Sequence, residues 1–226
     1  MPHITLIGTS HIAEKSVQDI KKAYADTQPD ISAVELDRQR LDGLLSEQKR
    51  SYSPRLIGKI GLAGYLFALI GGLMQRKLGK AVGMNPGADM LAAVRLAQEH
   101  NKPLLLIDRK IQVTLKRLSK KLTRKEKWQL LTDILFGWAK KQPKVAIDLK
   151  SVPQDKLITT LLEQLKGRYP TFYEVLVHER NLFMAHRLVR AAAQHQDKHI
   201  LAIVGAGHKE GMMQAFEEHQ TKQQHS

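Results

Sequence analysis

Residues 199–212 read HILAIVGAGHKEGM, an apolar run that ends in a Gly-x-x-His turn closed by His208. Residues 3–16 read HITLIGTSHIAEKS and end a second apolar run in the same way, with His11 closing the turn. Glycine permits a tight exit from a strand and a close approach of the backbone to a ligand. Two such turns, almost two hundred residues apart, predict that the first and last strands bring both histidines to one site.

Four short apolar runs have the length and composition of buried strands. The segments between them have helical patterns and are not hairpin turns. This predicts an α/β fold with a mostly parallel or mixed sheet and helices on both faces. The region from about 113 to 195 is almost wholly helical in pattern and forms a large insertion before the last strand. No flexible linker divides the chain, so we expect a single domain over 1–226. The predicted strands are Ile4–Ile7, Ile31–Val34, Leu104–Ile107 and Ile200–Val204.

The composition limits the chemistry. The 226 residues are 42% hydrophobic and include no cysteine. A thiol nucleophile or a thiolate zinc site is therefore excluded, and any metal must be held by His, Asp, Glu or water. The chain begins directly with an apolar alternation and shows no secretory signal pattern, so we expect a cytoplasmic protein.

The formal net charge is +14, and much of it is local: nine Lys or Arg residues lie between Arg109 and Lys127, with Glu126 as the one acid. Such a run suits nucleic acid, an acidic membrane surface or an anionic substrate. The alternative is a solvated helical face, which Leu115 and Leu118 at helical spacing support. No aromatic residue interleaves the run before Trp128, and this disfavours nucleic acid as a partner.

Residues 56–74, LIGKIGLAGYLFALIGGLM, form the most apolar stretch. The stretch reaches the lower limit of a membrane span, yet it contains five glycines and a charge at Lys59. We expect a buried helix or a homo-oligomer interface, with membrane contact as the alternative.

Polar residues follow each predicted strand. In an open parallel sheet, ligands bind outside the carboxyl ends of the strands. The two turn histidines lie near the first turn of the following helix, where the dipole favours neutral imidazole, as a metal ligand or base requires. A shared crevice is therefore expected, and the other strand-end residues that would face it are Glu35, Asp37, Arg38, Asp108 and Arg109.

The spacing of apolar residues in a predicted helix points to Glu179 as a further candidate carboxylate. Thr123 with Glu126, and Thr171 with Glu174, fit the capping box. A regular helix from Thr171 places Glu179 within an apolar stripe, where burial demands a cation, a metal or a hydrogen-bond partner. An internal salt bridge with Arg38 or Arg109 is the structural alternative. His186, near the same stripe, is expected to be a core histidine.

The chain resembles the TraB/PrgY family, within the wider group that includes the Tiki-type proteases. The resemblance runs from about residue 4 to 215 and keeps the family's motif order. The motifs are the two Gly-x-x-His turns, VELDRQR (34–40), NPGADMLAAVRLA (85–97), LIDRKIQVTLKR (106–117) and HERNLFMAHRL (178–188). It implies a cytoplasmic or membrane-associated α/β protein. Tiki-type relatives are regarded as metal-dependent peptidases, and TraB-type proteins are linked to the shutdown of peptide pheromones.

Carried onto this sequence, the resemblance implies a divalent metal (Mn, Co or Zn) on His11 and His208. Glu35 and Glu179 are its candidates for a third ligand or general base. The remaining motif residues would bind substrate: Arg38, Asp89, Asp108, Arg109, Arg117 and Arg180. Asp89 departs from the family pattern, since it stands where the family often has the Glu of Gly-x-Glu-Met.

The leading expectation is therefore a metal-dependent hydrolase acting on small peptides. A protein that binds a peptide or another anion without catalysis would use the same strand-end pocket. A membrane-surface or nucleic-acid partner bound through Arg109–Lys127 is the third expectation.

Overall fold

The computed structural model describes residues 3–9, 13–46, 57–61, 64–65, 87–136 and 154–224. The strands in these residues are β1 (His3–Thr9), β2 (Ile31–Val34), β3 (Leu104–Leu106) and β4 (His199–Gly205). They form one sheet in the order β1-β4-β2-β3, and every pairing is parallel. The predicted α/β fold is confirmed, with each of the four expected strands in place.

Helices connect the strands, as parallel pairing requires. Between β3 and β4 the described residues are almost wholly helical, as the sequence pattern predicts. The helices are α1 (Ala13–Thr27), α2 (Arg38–Leu45), α3 (Ala88–Glu99), α4 (Ile111–Lys121), α5 (Arg124–Phe136), α6 (Gln154–Arg168), α7 (Pro170–Tyr173), α8 (Glu179–Gln194) and α9 (Ala206–Gln224), with a π-helical turn at Glu174–His178.

Helices cover both faces of the sheet, because alternate residues of a strand point to opposite sides. Leu201 and Ile203 of β4 pack with Ile20 of α1 and with apolar residues of α3. Ile200, Ala202 and Val204 of the same strand pack on the other side, against α8 and α9. A strand buried on both faces is uniformly apolar, and this explains the run ILAIV.

A smaller core lies away from the sheet, where α4 meets α7 and the π-helical turn. The buried side chain of Glu126 lies at the edge of this core and joins two helices by hydrogen bonds. It forms the predicted capping box with Thr123, whose amide and hydroxyl donate to Oε2 at 3.1 and 2.8 Å. The predicted box between Thr171 and Glu174 is wrong, because the amide and hydroxyl of Thr171 donate to Glu126 at 2.8 and 2.6 Å. Burial acts to raise the pKa of Glu126, but these hydrogen bonds lower it.

Most of the apolar stretch 56–74 lies outside the described residues. Within it, 57–61 and 64–65 are helical, and Ile60 is buried. A Cβ at Gly64 would lie 2.8 Å from the carbonyl oxygen of Leu115, so this glycine permits close packing on α4. The helices of the described residues include none long and apolar enough to cross a membrane. The oligomer interface and the single domain stay predictions.

Candidate functional site

The two strands that precede the Gly-x-x-His motifs are neighbours in the sheet. β1 and β4 are hydrogen-bonded in parallel, with Thr9 opposite Gly205. Both strands therefore end at the same edge of the sheet. His11 lies outside the described residues, and His208 lies within them.

His208 stands in the first turn of α9, which starts directly after β4. Its Nδ1 atom lies 2.6 Å from Oδ1 of Asn181, and its Nε2 atom lies 2.9 Å from Nη1 of Arg180. An amide oxygen accepts and a guanidinium donates, so Nδ1 carries the proton and Nε2 presents its lone pair. Burial lowers the pKa of His208, and the charge of Arg180 lowers it further against the opposing effect of Glu35. Burial and the N–H donated by Arg180 therefore favour the neutral imidazole.

Glu35 follows β2 directly and meets the start of α9. Its Oε2 atom accepts the backbone N–H of Gly205 at 2.7 Å. Its Oε1 atom accepts from Arg180 and lies 3.3 Å from Nε2 of His208. Burial acts to raise the pKa of Glu35, but the positive charges of His208 when it is protonated, of Arg180 and of Arg40, with the Gly205 amide, lower it to about 2. Glu35 is a buried anion.

Arg180 joins these groups to the end of β3. Its Nε and Nη2 atoms donate to the two oxygens of Asp108 at 3.1 and 2.8 Å. Arg40 donates to the same carboxylate at 2.9 Å. Pairing and hydrogen bonding of this kind compensate for the cost of burying the charges. We call Glu35, Asp108, Arg180 and His208 the strand-end cluster.

A second group of charges surrounds Glu179, next to the strand-end cluster. Its carboxylate accepts from Arg109 at 3.0 Å, from Arg117 at 2.6 and 2.9 Å, and from Lys121 at 2.6 Å. The hydrogen bonds from Arg117 above all lower the pKa of Glu179 to about 2, against the effect of burial. A carboxylate of such low pKa is a weak base at neutral pH. These contacts favour the salt-bridge alternative for Glu179 and include the expected partner Arg109.

Three consecutive residues at the start of α8 thus contact three different parts of the protein. Glu179 faces α4, Arg180 reaches the strand ends and Asn181 reaches α9. A π-helical turn, Glu174–His178, precedes them. Such a turn holds one extra residue and shifts the helical phase that follows, and it occurs frequently at functional sites.

The other predicted residues are placed as follows. Arg38 does not join the cluster: its side chain is 79% exposed and pairs with Asp42 at 3.3 Å. Asp37 caps α2 by accepting from the amides of Gln39 and Arg40. Asp89 is buried at the start of α3 and accepts from Thr9 at 2.6 Å, at the end of β1.

His186, the expected core histidine, is exposed, and its ring contacts that of His219 edge-on. The prediction for His186 is therefore wrong, because it assumes a regular helix through the π-helical turn.

Sequence reasoning missed Asn181 and Arg40. Asn181 stands in the HERN motif beside Glu179 and is 3% exposed. A buried amide needs hydrogen-bond partners, so a corrected helical phase would have pointed to it. Arg40 is two residues past Arg38, and the cap at Asp37 fixes which of the two arginines turns inward.

A divalent ion needs ligands in their basic forms. Two such donor atoms of the cluster, Nε2 of neutral His208 and Oε1 of ionised Glu35, lie 3.3 Å apart. The Nδ1–H bond to Asn181 is the outer contact that a ligating histidine typically makes. Arg180 contacts both donor atoms and would have to release them, while its two bonds to Asp108 remain. The described part of the chain holds no group of three or more His, Asp or Glu side chains arranged for a metal, and it does not include His11.

The fold and site define a parallel α/β protein with a buried, charged cluster at the carboxyl ends of its strands. The chain belongs to the TraB/PrgY/gumN family, whose sequence profile matches residues 2–222.

Three relatives show the range of the similarity. An uncharacterized protein of Methanocaldococcus jannaschii is 33% identical over 213 residues, which cover 93% of this chain and 52% of that protein. TraB domain-containing proteins of Homo sapiens and Mus musculus are each 26% identical over 235 residues, covering 92% of this chain and 61% of theirs. The chain therefore spans about half to three fifths of the length of these relatives.

Proposed function

We propose that this protein is a metal-dependent hydrolase acting on small peptides, with its site at the carboxyl ends of β2 and β4. One observation carries the proposal. Neutral Nε2 of His208 and anionic Oε1 of Glu35 lie 3.3 Å apart, both in the protonation state that a metal ligand requires. His11, which closes the matching turn after the adjacent strand, is the proposed further ligand.

The chain's own residues have distinct parts in this proposal. Asn181 fixes the tautomer and ring orientation of His208. Glu35 is held ionised by the Gly205 amide and, until a metal takes its place, by Arg180. Arg180 keeps its two bonds to Asp108 and can direct its remaining N–H groups to a substrate carbonyl or carboxylate. A divalent ion, when bound, supplies a bound water of near-neutral pKa and polarises the scissile carbonyl.

Glu179 takes no proton in this scheme. Its three cationic partners hold it ionised, and it in turn positions Arg109, which also donates to the carbonyl oxygen of Val175 at 2.8 Å. We assign it the role of anchoring α4 beside the site.

The test is metal binding by the purified full chain. The protein is stripped with chelator, titrated separately with Mn²⁺, Co²⁺ and Zn²⁺ by calorimetry, and assayed with a library of quenched fluorescent peptides. His208→Gln and Glu35→Gln should lose metal and cleavage together, whereas His186→Gln, an exposed histidine outside the cluster, should keep both. Equal metal affinity in His208→Gln and the parent protein would refute the proposal.

A binding protein without catalysis is the second candidate, because Arg180 already contacts both Nε2 of His208 and Oε1 of Glu35. In that arrangement the guanidinium itself supplies the positive charge at the strand ends and can receive a substrate carboxylate. Peptide binding that survives chelation, with no turnover under any of the three ions, would favour this candidate.

A further inference from the structure

Helix α5 is fixed to the protein by one face. Glu126 binds Thr123 and Thr171, Leu130 packs on the small core beside α4, and Asp133 accepts from Arg168 at 2.8 Å. These three positions are separated by four and three residues, so they form a single stripe. The opposite face of α5 must therefore point away from the protein.

That opposite face has an unusual composition. At 100° a residue, Arg124 and Trp128 lie opposite the anchoring stripe, and Leu131 lies on the same outer side of the helix. Trp128 is 69% exposed and Leu131 is 45% exposed. Lys125 and Lys127 lie on the two sides of this apolar pair and are exposed. We call Arg124, Lys125, Lys127, Trp128 and Leu131 the α5 outer face.

The charged residues of this face, Arg124, Lys125 and Lys127, are all basic. Exposed basic residues continue into the preceding α4, at Lys116 and Lys120 among others. Glu126 is the one acid between 109 and 132, and it is buried in hydrogen bonds with two threonines. A partner for this face must therefore be anionic and must also accept an exposed indole and a leucine.

We propose that the α5 outer face docks the protein on an anionic membrane surface. Indole rings prefer the interface between headgroups and acyl chains, where one edge stays hydrated. Lysine and arginine beside them bind anionic headgroups, each adding to the affinity. A helix with Trp and Leu at its centre and lysines on its flanks is the arrangement that lies in the plane of a bilayer surface. Single-stranded nucleic acid fits less well, since it calls for a series of stacking rings and this face presents one.

This inference is independent of the proposed hydrolase, because none of these side chains belongs to the strand-end cluster. Vesicles of phosphatidylcholine, with or without added phosphatidylglycerol, serve as the probe in flotation assays of the full chain. We expect binding to the mixed vesicles alone and a steep loss of binding with salt. Lys125→Gln with Lys127→Gln, and separately Trp128→Ala, should each weaken binding by about tenfold or more. Circular dichroism verifies that the variants are folded.

The matched control removes two exposed lysines elsewhere, Lys21→Gln with Lys22→Gln on α1, and should weaken binding far less. In a Trp138→Phe background Trp128 is the sole indole, so its emission should shift to shorter wavelength on mixed vesicles. Equal losses in the two lysine pairs, or an unshifted emission, would refute insertion by this face. Binding of a labelled oligonucleotide in place of vesicles, or self-association abolished by Trp128→Ala, would assign the face to a different partner.

Discussion

The Nδ1 atom of His208 lies 2.6 Å from Oδ1 of Asn181, an amide that is almost fully buried between α8 and α9. This bond places the imidazole proton on Nδ1 and directs the Nε2 lone pair toward Glu35 and Arg180. The tautomer of His208 therefore depends on a side chain that contributes no charge.

Replacing Asn181 by Leu should free the His208 ring to adopt either tautomer. Because outer contacts of this type tune ligand basicity, we expect metal affinity to fall by about 10- to 100-fold. Nitrogen-15 NMR of the imidazole should show a fixed Nδ1–H form in the parent protein and a mixture in the variant. Asn181→Asp is the matched control: it keeps the acceptor and, by adding negative charge, raises the pKa of His208. An unchanged imidazole spectrum in Asn181→Leu would contradict this role.

Arg180 connects three buried groups, so its loss should destabilise the protein strongly. In Arg180→Met, Glu35 and Asp108 lose their shared cation, and breaking a buried pair in this way costs about 3–5 kcal/mol. Arg38→Met provides the control, since Arg38 is solvent-exposed and its pair with Asp42 is worth about 0.5 kcal/mol or less. Urea unfolding at neutral pH measures both. Similar losses for the two arginines would show that the bridge through Arg180 carries no special weight.

The strands and the covering helices were predictable because a strand that is buried on both faces is a continuous apolar run, such as ILAIV of β4. The adjacency of β1 and β4 followed in part from the repeated Gly-x-x-His turn, which gains meaning if the strands are neighbours. Glu35, Asp108 and His208 were predictable for the same reason, because each follows a strand of one parallel sheet.

The other contacts of the site depend on which face of α2 and of α8 turns toward it, and the residue pattern does not show this. The Asp37 cap turns Arg40 inward and Arg38 outward, although both are arginines of one motif. The π-helical turn before Glu179 adds a residue to the helix, and the regular 100° step assumed for this segment fails there. Asn181 and exposed His186 both follow that turn.

Acid should destabilise the protein partly through Glu35. The pKa of Glu35 is about 2 in the folded chain and 4.5 for an unperturbed carboxyl, as in the unfolded chain. The ionised Glu35 therefore stabilises the fold above about pH 4.5. That contribution is lost as the pH falls from 4.5 toward 2, and by linkage it amounts to about 3 kcal/mol. Glu35→Gln should flatten the curve of unfolding free energy against pH over this window. Glu179→Gln should flatten it as well, since the pKa of Glu179 is also about 2. Parallel curves for Glu35→Gln and the parent protein would exclude the effect.

Gly211 of α9 offers the sharpest test of the packing behind His208. A Cβ at this position would overlap Nδ2 of Asn181, so alanine must displace the amide that holds the imidazole. Helix propensity favours alanine by about 1 kcal/mol, but overpacking costs about 1–3 kcal/mol. We expect Gly211→Ala to lower the unfolding free energy by about 1 kcal/mol and to disturb the imidazole spectrum.

At Gly43 of α2 nothing lies within 4 Å of the added Cβ, and Gly43→Ala should stabilise the protein by about 1 kcal/mol. In an Asn181→Ala background the clash is absent, so Gly211→Ala should become stabilising there. The same effect of Gly211→Ala in both backgrounds would show that contact with Asn181 is not what requires glycine.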